Sequence, residues 1–154
     1  MTYLLDTCII SKLRRIKTHP DPQLSKWISK HAESAYFISV LTLGEIQMGI
    51  AKLDTKTKER QLQRMILEDW LFGEVVPLFK ERILEISVPI AFTWGKLNGE
   101  AKKAGKNIPV ADGLIAATAM HHSLIVVTEN IKDFQSLNVG VINPCQVNVH
   151  ENLF

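Results

Sequence analysis

Short, unbroken apolar runs alternate along this chain with longer segments whose apolar residues recur every third or fourth position. The first pattern reads as strands buried on both faces, the second as helices that bury one stripe. Tyr3-Leu4-Leu5 opens the series and stops on Asp6, and a helix is expected from there to about Leu13. A basic, proline-containing loop (Arg14 to Pro22) leads to a helix over Gln23 to His31, with Leu24, Trp27 and Ile28 at helical spacing. Ala35 to Ile38 forms a second strand, and Ser39 to Thr42 turns into the helix that carries Glu45.

Thr55 to Trp70 is strongly helical, its apolar stripe made of Leu62, Met65, Ile66 and Trp70, and it pairs with the preceding helix as a hairpin. Phe72 to Pro77 reads as a breaker-rich connection, and Arg82 to Ile86 as a third strand. Val88 to Lys103 is a helix stopped by Ala104-Gly105. Pro109 then sits where a helix's first turn tolerates it, ahead of a body running from Leu114 to Met120. Leu124 to Val127 is the clearest buried strand, and Val139 to Ile142 adds a last one; the remainder to Phe154 carries no readable pattern. Strands alternating with helices predict an α/β fold, a parallel β-sheet flanked by helices on both faces.

Composition adds limits. At 154 residues and 46% hydrophobic, the chain suits a single domain spanning 1–154 with a core of its own. No apolar run reaches bilayer length and the chain starts on a strand, so no membrane association and a cytoplasmic location are expected. Cys8 and Cys145 lie far apart, without metal-ligand or redox spacing, and read as ordinary thiols. The net charge of +2 is not that of a strongly basic nucleic-acid binder. Local basic clusters at Lys52 to Arg64 and Lys96 to Lys106 are first of all solvated helix faces.

The candidate chemistry is acidic. Each acid has an ordinary structural role available: Asp6 as a helix N-cap, Glu45 in a capping box with Thr42, Asp112 near a helix N-terminus. Yet the alternating topology carries them to one edge of the sheet, the crevice beyond the strands' C-terminal ends, where open α/β folds bind ligands. Several carboxylates in one crevice repel one another and suffer desolvation, so they call for a cation or protons. Hard divalent ions take oxygen ligands, and Mg²⁺ uses a few carboxylates together with waters and substrate phosphate. The implied chemistry is phosphoryl transfer.

These residues carry a resemblance. Leu4-Leu5-Asp6-Thr7, Ser39-Val40-Leu41-Thr42-Leu43-Gly44-Glu45-Ile46, Ala111-Asp112-Gly113-Leu114-Ile115-Ala116-Ala117-Thr118-Ala119 and Val127-Thr128-Glu129-Asn130 with Asp133-Phe134 occur in order. Together, from about Tyr3 to Pro144, they resemble a PIN domain, and more narrowly the VapC and FitB kind of ribonuclease toxin. The resemblance implies a Mg²⁺- or Mn²⁺-dependent endoribonuclease with Asp6, Glu45 and Asp112 as acidic ligands and Thr7 and Thr128 as accessory polar residues. Asn130 departs from it, standing where many members have a fourth Asp. An amide oxygen can still ligate a metal or hold its water, but it lacks the charge that favours a second cation. Asp133, one helical turn on, is the other candidate at that corner, whereas Glu129 points to the opposite face of an extended chain.

The resemblance also implies an RNA substrate, a small cognate antitoxin that bridges to operator DNA, a homodimer, and a helical hairpin at about 42–72 serving as the antitoxin or dimer clip. Lys12, Arg14, Arg15 and Lys106 are the candidate cations to position RNA phosphates. Two other readings remain at this stage. One is a non-catalytic PIN-like module that only binds RNA or an antitoxin. The other, a haloacid-dehalogenase-type phosphatase, needs an acid two residues after Asp6, where this chain has Cys8.

Overall fold

The computed structural model describes residues 1–146; the patternless stretch 147–154 lies outside the described residues. Five parallel strands form one sheet in the order β3-β2-β1-β4-β5. They are β1 (Tyr3–Leu5), β2 (Tyr36–Ser39), β3 (Ile83–Leu84), β4 (Ile125–Val127) and β5 (Val141–Ile142). Helices α1 (Thr7–Arg14), α2 (Pro22–Ser29), α3 (Val40–Ala51) and α4 (Lys58–Trp70) come from the first half of the chain. α5 (Val76–Phe79), α6 (Val88–Lys103), α7 (Val110–His122) and α8 (Ile131–Phe134) follow.

β1 is central because its run is apolar on both sides. Leu4 faces the cluster built on Ile115, Ala116, Ala119, Val126 and Phe134, while Tyr3 and Leu5 face Ile9, Ile10, Leu24, Leu71 and Val75. The two-residue period of a strand thus feeds two hydrophobic layers from three residues. Fully burying side chains such as Leu4, Ile9 and Val126 stabilises the fold by roughly 1.5–3 kcal/mol each. In register, Leu4 pairs with Phe37 on one side and Val126 on the other. The chain moves from β1 outward to β2 and β3, then returns to lay β4 on the other flank of β1. This reversal opens a crevice at the C-terminal ends of β1 and β4.

The predicted helix Val88–Lys103 is observed at those bounds. Two expectations are corrected. Residues 72–77 are not a loop: a π-turn (Leu71–Val75) carries α4 directly into α5. Leu71, Val75 and Phe79 recur every four residues and are all buried, and this burial outweighs Gly73; Pro77 sits in the first turn of α5, where no N–H is required. The stripe on α4, in turn, is not core. Leu62, Met65 and Ile66 are more than half exposed; of the four, only Trp70 is partly buried against the core.

Asp112 is brought to the crevice by the close approach of α7 to α6. Gly113 permits it, since a Cβ there would meet Trp94 Cδ1 at 3.0 Å and Asn98 Nδ2 at 3.2 Å. Gly113→Val is expected to destabilise the fold by ~1–3 kcal/mol through overpacking. Gly99→Ala, in α6 with open space around it, should instead stabilise by ~0.5–1 kcal/mol. Urea unfolding of the two variants against the parent checks the contrast.

Candidate active site

Asp6 follows β1 directly, and its backbone N–H extends the ladder to the Val127 carbonyl at 2.9 Å. Its carboxylate is buried and held at both oxygens. Oδ1 accepts from the Thr7 N–H at 2.8 Å, which caps α1, and Oδ2 accepts from the Thr128 hydroxyl at 2.8 Å. The cap and the site are therefore one arrangement, since the residue that caps α1 is the one held at the crevice. Thr128 is itself fixed, accepting the Asn130 N–H at 3.0 Å.

Glu45 reaches the same place from α3. Its capping-box role is not realised, because Ser39 caps α3 by accepting from the Leu41 N–H at 3.1 Å. Thr42 is buried inside the helix, where its hydroxyl accepts from the Thr7 hydroxyl at 3.3 Å. Glu45 is thereby left half-buried and free of capping duty. Burial pushes its carboxyl above the ordinary range; Asp6 and, less strongly, Asp112 add to the rise, and the Thr7 hydroxyl partly offsets it. Asp112, in the first turn of α7, is raised by burial first, then by Asp133 and Asp6. Asp6, Glu45, Asp112 and Asp133 thus share one electrostatic field, drawn from four separate elements.

At the fourth corner, Asn130 is the N-cap residue of α8 and is exposed, while Asp133 lies one turn on, near Asp112. Glu129 turns away, pairing with Lys12 at 2.9 Å. This revises the expected role of Lys12. Its ammonium is held by Glu129 and by Asp21 at 3.1 Å, so it ties α1 to the end of β4 and the start of α2 instead of reaching for phosphate. Arg14 and Arg15 do flank the acids, lining a cleft of about 300 Å³ with Thr7, Ser11 and Glu45. Lys106 is exposed in the loop before α7.

Cys8, expected only as an ordinary thiol, stands at the site. Its thiol donates to Asp6 Oδ2 at 3.7 Å and lies 3.6 Å from Thr128 Oγ1, and burial raises its pKa. The only available signal was its place two residues after Asp6, in the first turn of α1. Cys8 and Cys145 are both free thiols.

Comparison with known proteins decides the family. A family model for the PIN domain matches residues 3–139. The chain belongs to the PIN domain family. Among relatives, this PIN domain is 34% identical over 141 residues to Toxin FitB of Neisseria gonorrhoeae, covering 92% of this chain and 96% of that protein. It is 33% identical to VapC ribonuclease Y4jK of Sinorhizobium fredii over the same shares. The solved structure of FitAB bound to an IR36 DNA fragment superposes with a TM-score of 0.83 at 32% identity, covering 97% of this chain and 99% of that one.

The donor chemistry fits a hard cation that keeps much of its water. The acids supply oxygen, yet among the described residues no three His, Cys, Asp or Glu side chains stand in ready-made ligand geometry. Mg²⁺ is commonly held by one or two carboxylates plus waters and substrate phosphate, which such a spread set of acids suits.

Because the folded state raises the pKa of Glu45 and Asp112, their contribution to stability is fully present below the unfolded pKa. It is lost as pH rises through the folded values, which lie above the ordinary carboxylate range. Without divalent ions at neutral pH, Glu45→Gln and Asp112→Asn should each raise Tm by about 2–6 °C. That gain should shrink on acidification below about pH 4, as measured by scanning fluorimetry in chelator.

Proposed function

We propose that this PIN domain is a metal-dependent endoribonuclease, the toxin of a type II toxin–antitoxin pair, which hydrolyses RNA phosphodiester bonds. The observation that carries the reading is the convergence of Asp6, Glu45 and Asp112 beyond the central strand, close enough that Asp6 raises the pKa of both other acids. Family membership and the ribonuclease and toxin names of the relatives support it.

Asp6, Glu45 and Asp112 would hold a Mg²⁺ or Mn²⁺ ion, with Asn130 and Asp133 as the further candidates at the fourth corner. When bound, such an ion offsets charge developing on the scissile phosphate and makes a nearby water more acidic. The chain's own groups do the positioning. Thr7 and Thr128 are the accessory residues: the Thr7 N–H and the Thr128 hydroxyl fix Asp6 in one orientation, so it does not have to reorganise during reaction. Arg14 and Arg15, beside Glu45, offer cations to the phosphates that flank the scissile one. Burial of Asp6 restricts competing water around its carboxylate.

The partner assigned to the helical hairpin at about 42–72 is a small cognate antitoxin, with a second copy of this chain completing a homodimer and operator DNA reached only through the antitoxin. The exposed apolar stripe of Leu62, Met65 and Ile66 supports a docking role for this hairpin. The FitAB complex, a neighbour in fold, supports the class of partner. Among the described residues no helix is long and apolar enough to cross a membrane.

Asp6→Asn, Glu45→Gln and Asp112→Asn should each reduce RNA cleavage in Mg²⁺ buffer by roughly 10²–10³-fold, read on a single-stranded RNA by gel. Full cleavage by both Asp variants would overturn the assignment. Cation binding by the parent without cleavage of any RNA would instead mark a non-catalytic module.

A further inference from the structure

Next to the acids, and sharing no lining residue with the Arg14–Arg15 cleft, lies an open cleft of about 410 Å³ whose walls are rich in carboxamides. We infer that this cleft is a base-recognition subsite, taking one unstacked nucleobase of a single-stranded RNA. The inference rests on the ribonuclease reading above and extends it from the scissile phosphate to the neighbouring base.

Two hydrogen bonds join the cleft to the reacting centre. Asn130, on its wall, donates its N–H to Thr128, and the Thr128 hydroxyl donates to Asp6. Asp133 belongs to the same wall and to the field of Asp112. A group seated there is therefore an immediate neighbour of a phosphate at the acids.

The lining selects the kind of group. Asn130, Gln135, Asn143 and Gln146 each carry a donor and an acceptor on one planar amide, the complement of a base edge. Among the described residues, nothing hydrogen-bonds the side chains of Gln135 and Gln146, so their capacity is unspent. Asn143 is different: its Oδ1 accepts the Cys145 N–H at 3.0 Å, which leaves its NH₂ to donate outward.

Charge argues against a phosphate in this cleft. Lys132 shares the walls with the carboxylates of Asp133 and Glu129, the latter already paired with Lys12, so the lining carries no net positive charge. A neutral, planar ligand with both donors and acceptors is favoured, and Ile131 supplies an apolar surface for its face. The cleft's size lies within the range of small-ligand sites. The two clefts then divide the work, arginines holding phosphates in one and amides reading a base in the other.

The test is equilibrium binding of fluorescent A, C, G and U RNA octamers in calcium buffer, for the parent and for Gln135→Ala, Gln146→Ala and their double variant. Bidentate base contacts discriminate by roughly fivefold to a hundredfold. The parent should favour one octamer by about fivefold or more, and the double variant should compress that preference to about twofold or less. In ¹⁵N spectra of the parent, the side-chain amides of Gln135 and Gln146 should shift with the favoured octamer. An unchanged preference in the double variant, or an equal loss for all four octamers, overturns the inference while leaving cleavage intact. Amides that respond to no octamer also overturn it and leave the cleft to a protein partner; RNA cleavage by the parent, measured separately, shows whether the ribonuclease reading stands.

Discussion

The Thr128 hydroxyl to Asp6 carboxylate bond is the contact on which the rest of this molecule depends. It joins the ends of two neighbouring parallel strands, β1 and β4, at the point where the sheet order reverses. With the Thr7 N–H on the other oxygen, it holds a buried carboxylate in one place. An anion tied down in this way creates a fixed negative potential, and the other acids are positioned within it. Glu45 comes from one face of the sheet and Asp112 from the other, so the site requires both layers of the fold to be correctly packed. Gly113, which lets α7 approach Trp94, is as much a part of the site's construction as the acids themselves.

That construction opposes stability. Burying acids that repel one another favours their protonated forms, and a fold seeking only stability would replace them with amides or apolar groups. Their raised pKa values express this tension. A divalent cation at the proposed site would resolve it by supplying the missing positive charge. The fold supplies the rest by neutralising the neighbours it does not need: Glu129 is paired off with Lys12, which also engages Asp21. The negative field at the crevice therefore comes from the convergent acids alone and does not spread along the whole strand end.

Much of this was legible in the sequence, because short apolar runs bounded by polar or turn residues suit strands buried on both sides, and Asp6 directly after the first of them marks the sheet edge. β1 and β4 follow from that reasoning, and the helix over Val88–Lys103 from its bounding Pro89 and Ala104-Gly105. What escaped was whatever depends on tertiary context. The π-turn after Trp70 was hidden because Gly73 and Pro77 are local breakers, while the burial of Leu71, Val75 and Phe79 that outweighs them is a long-range effect. The stripe on α4 has the period of a core helix but lies on the surface, since periodicity records amphipathicity and not what covers the apolar side. Lys12 was misjudged for a similar reason: its partners Asp21 and Glu129 are remote or on another strand end, and no spacing rule links all three.

The most direct test is calorimetric titration of Mn²⁺ into the chelator-treated protein and into its Asp6→Asn, Glu45→Gln and Asp112→Asn variants. Saturable binding by the parent, weakened at least about tenfold in each variant, is the result this account predicts. Binding that is absent from the parent, or that survives all three substitutions unchanged, would contradict it.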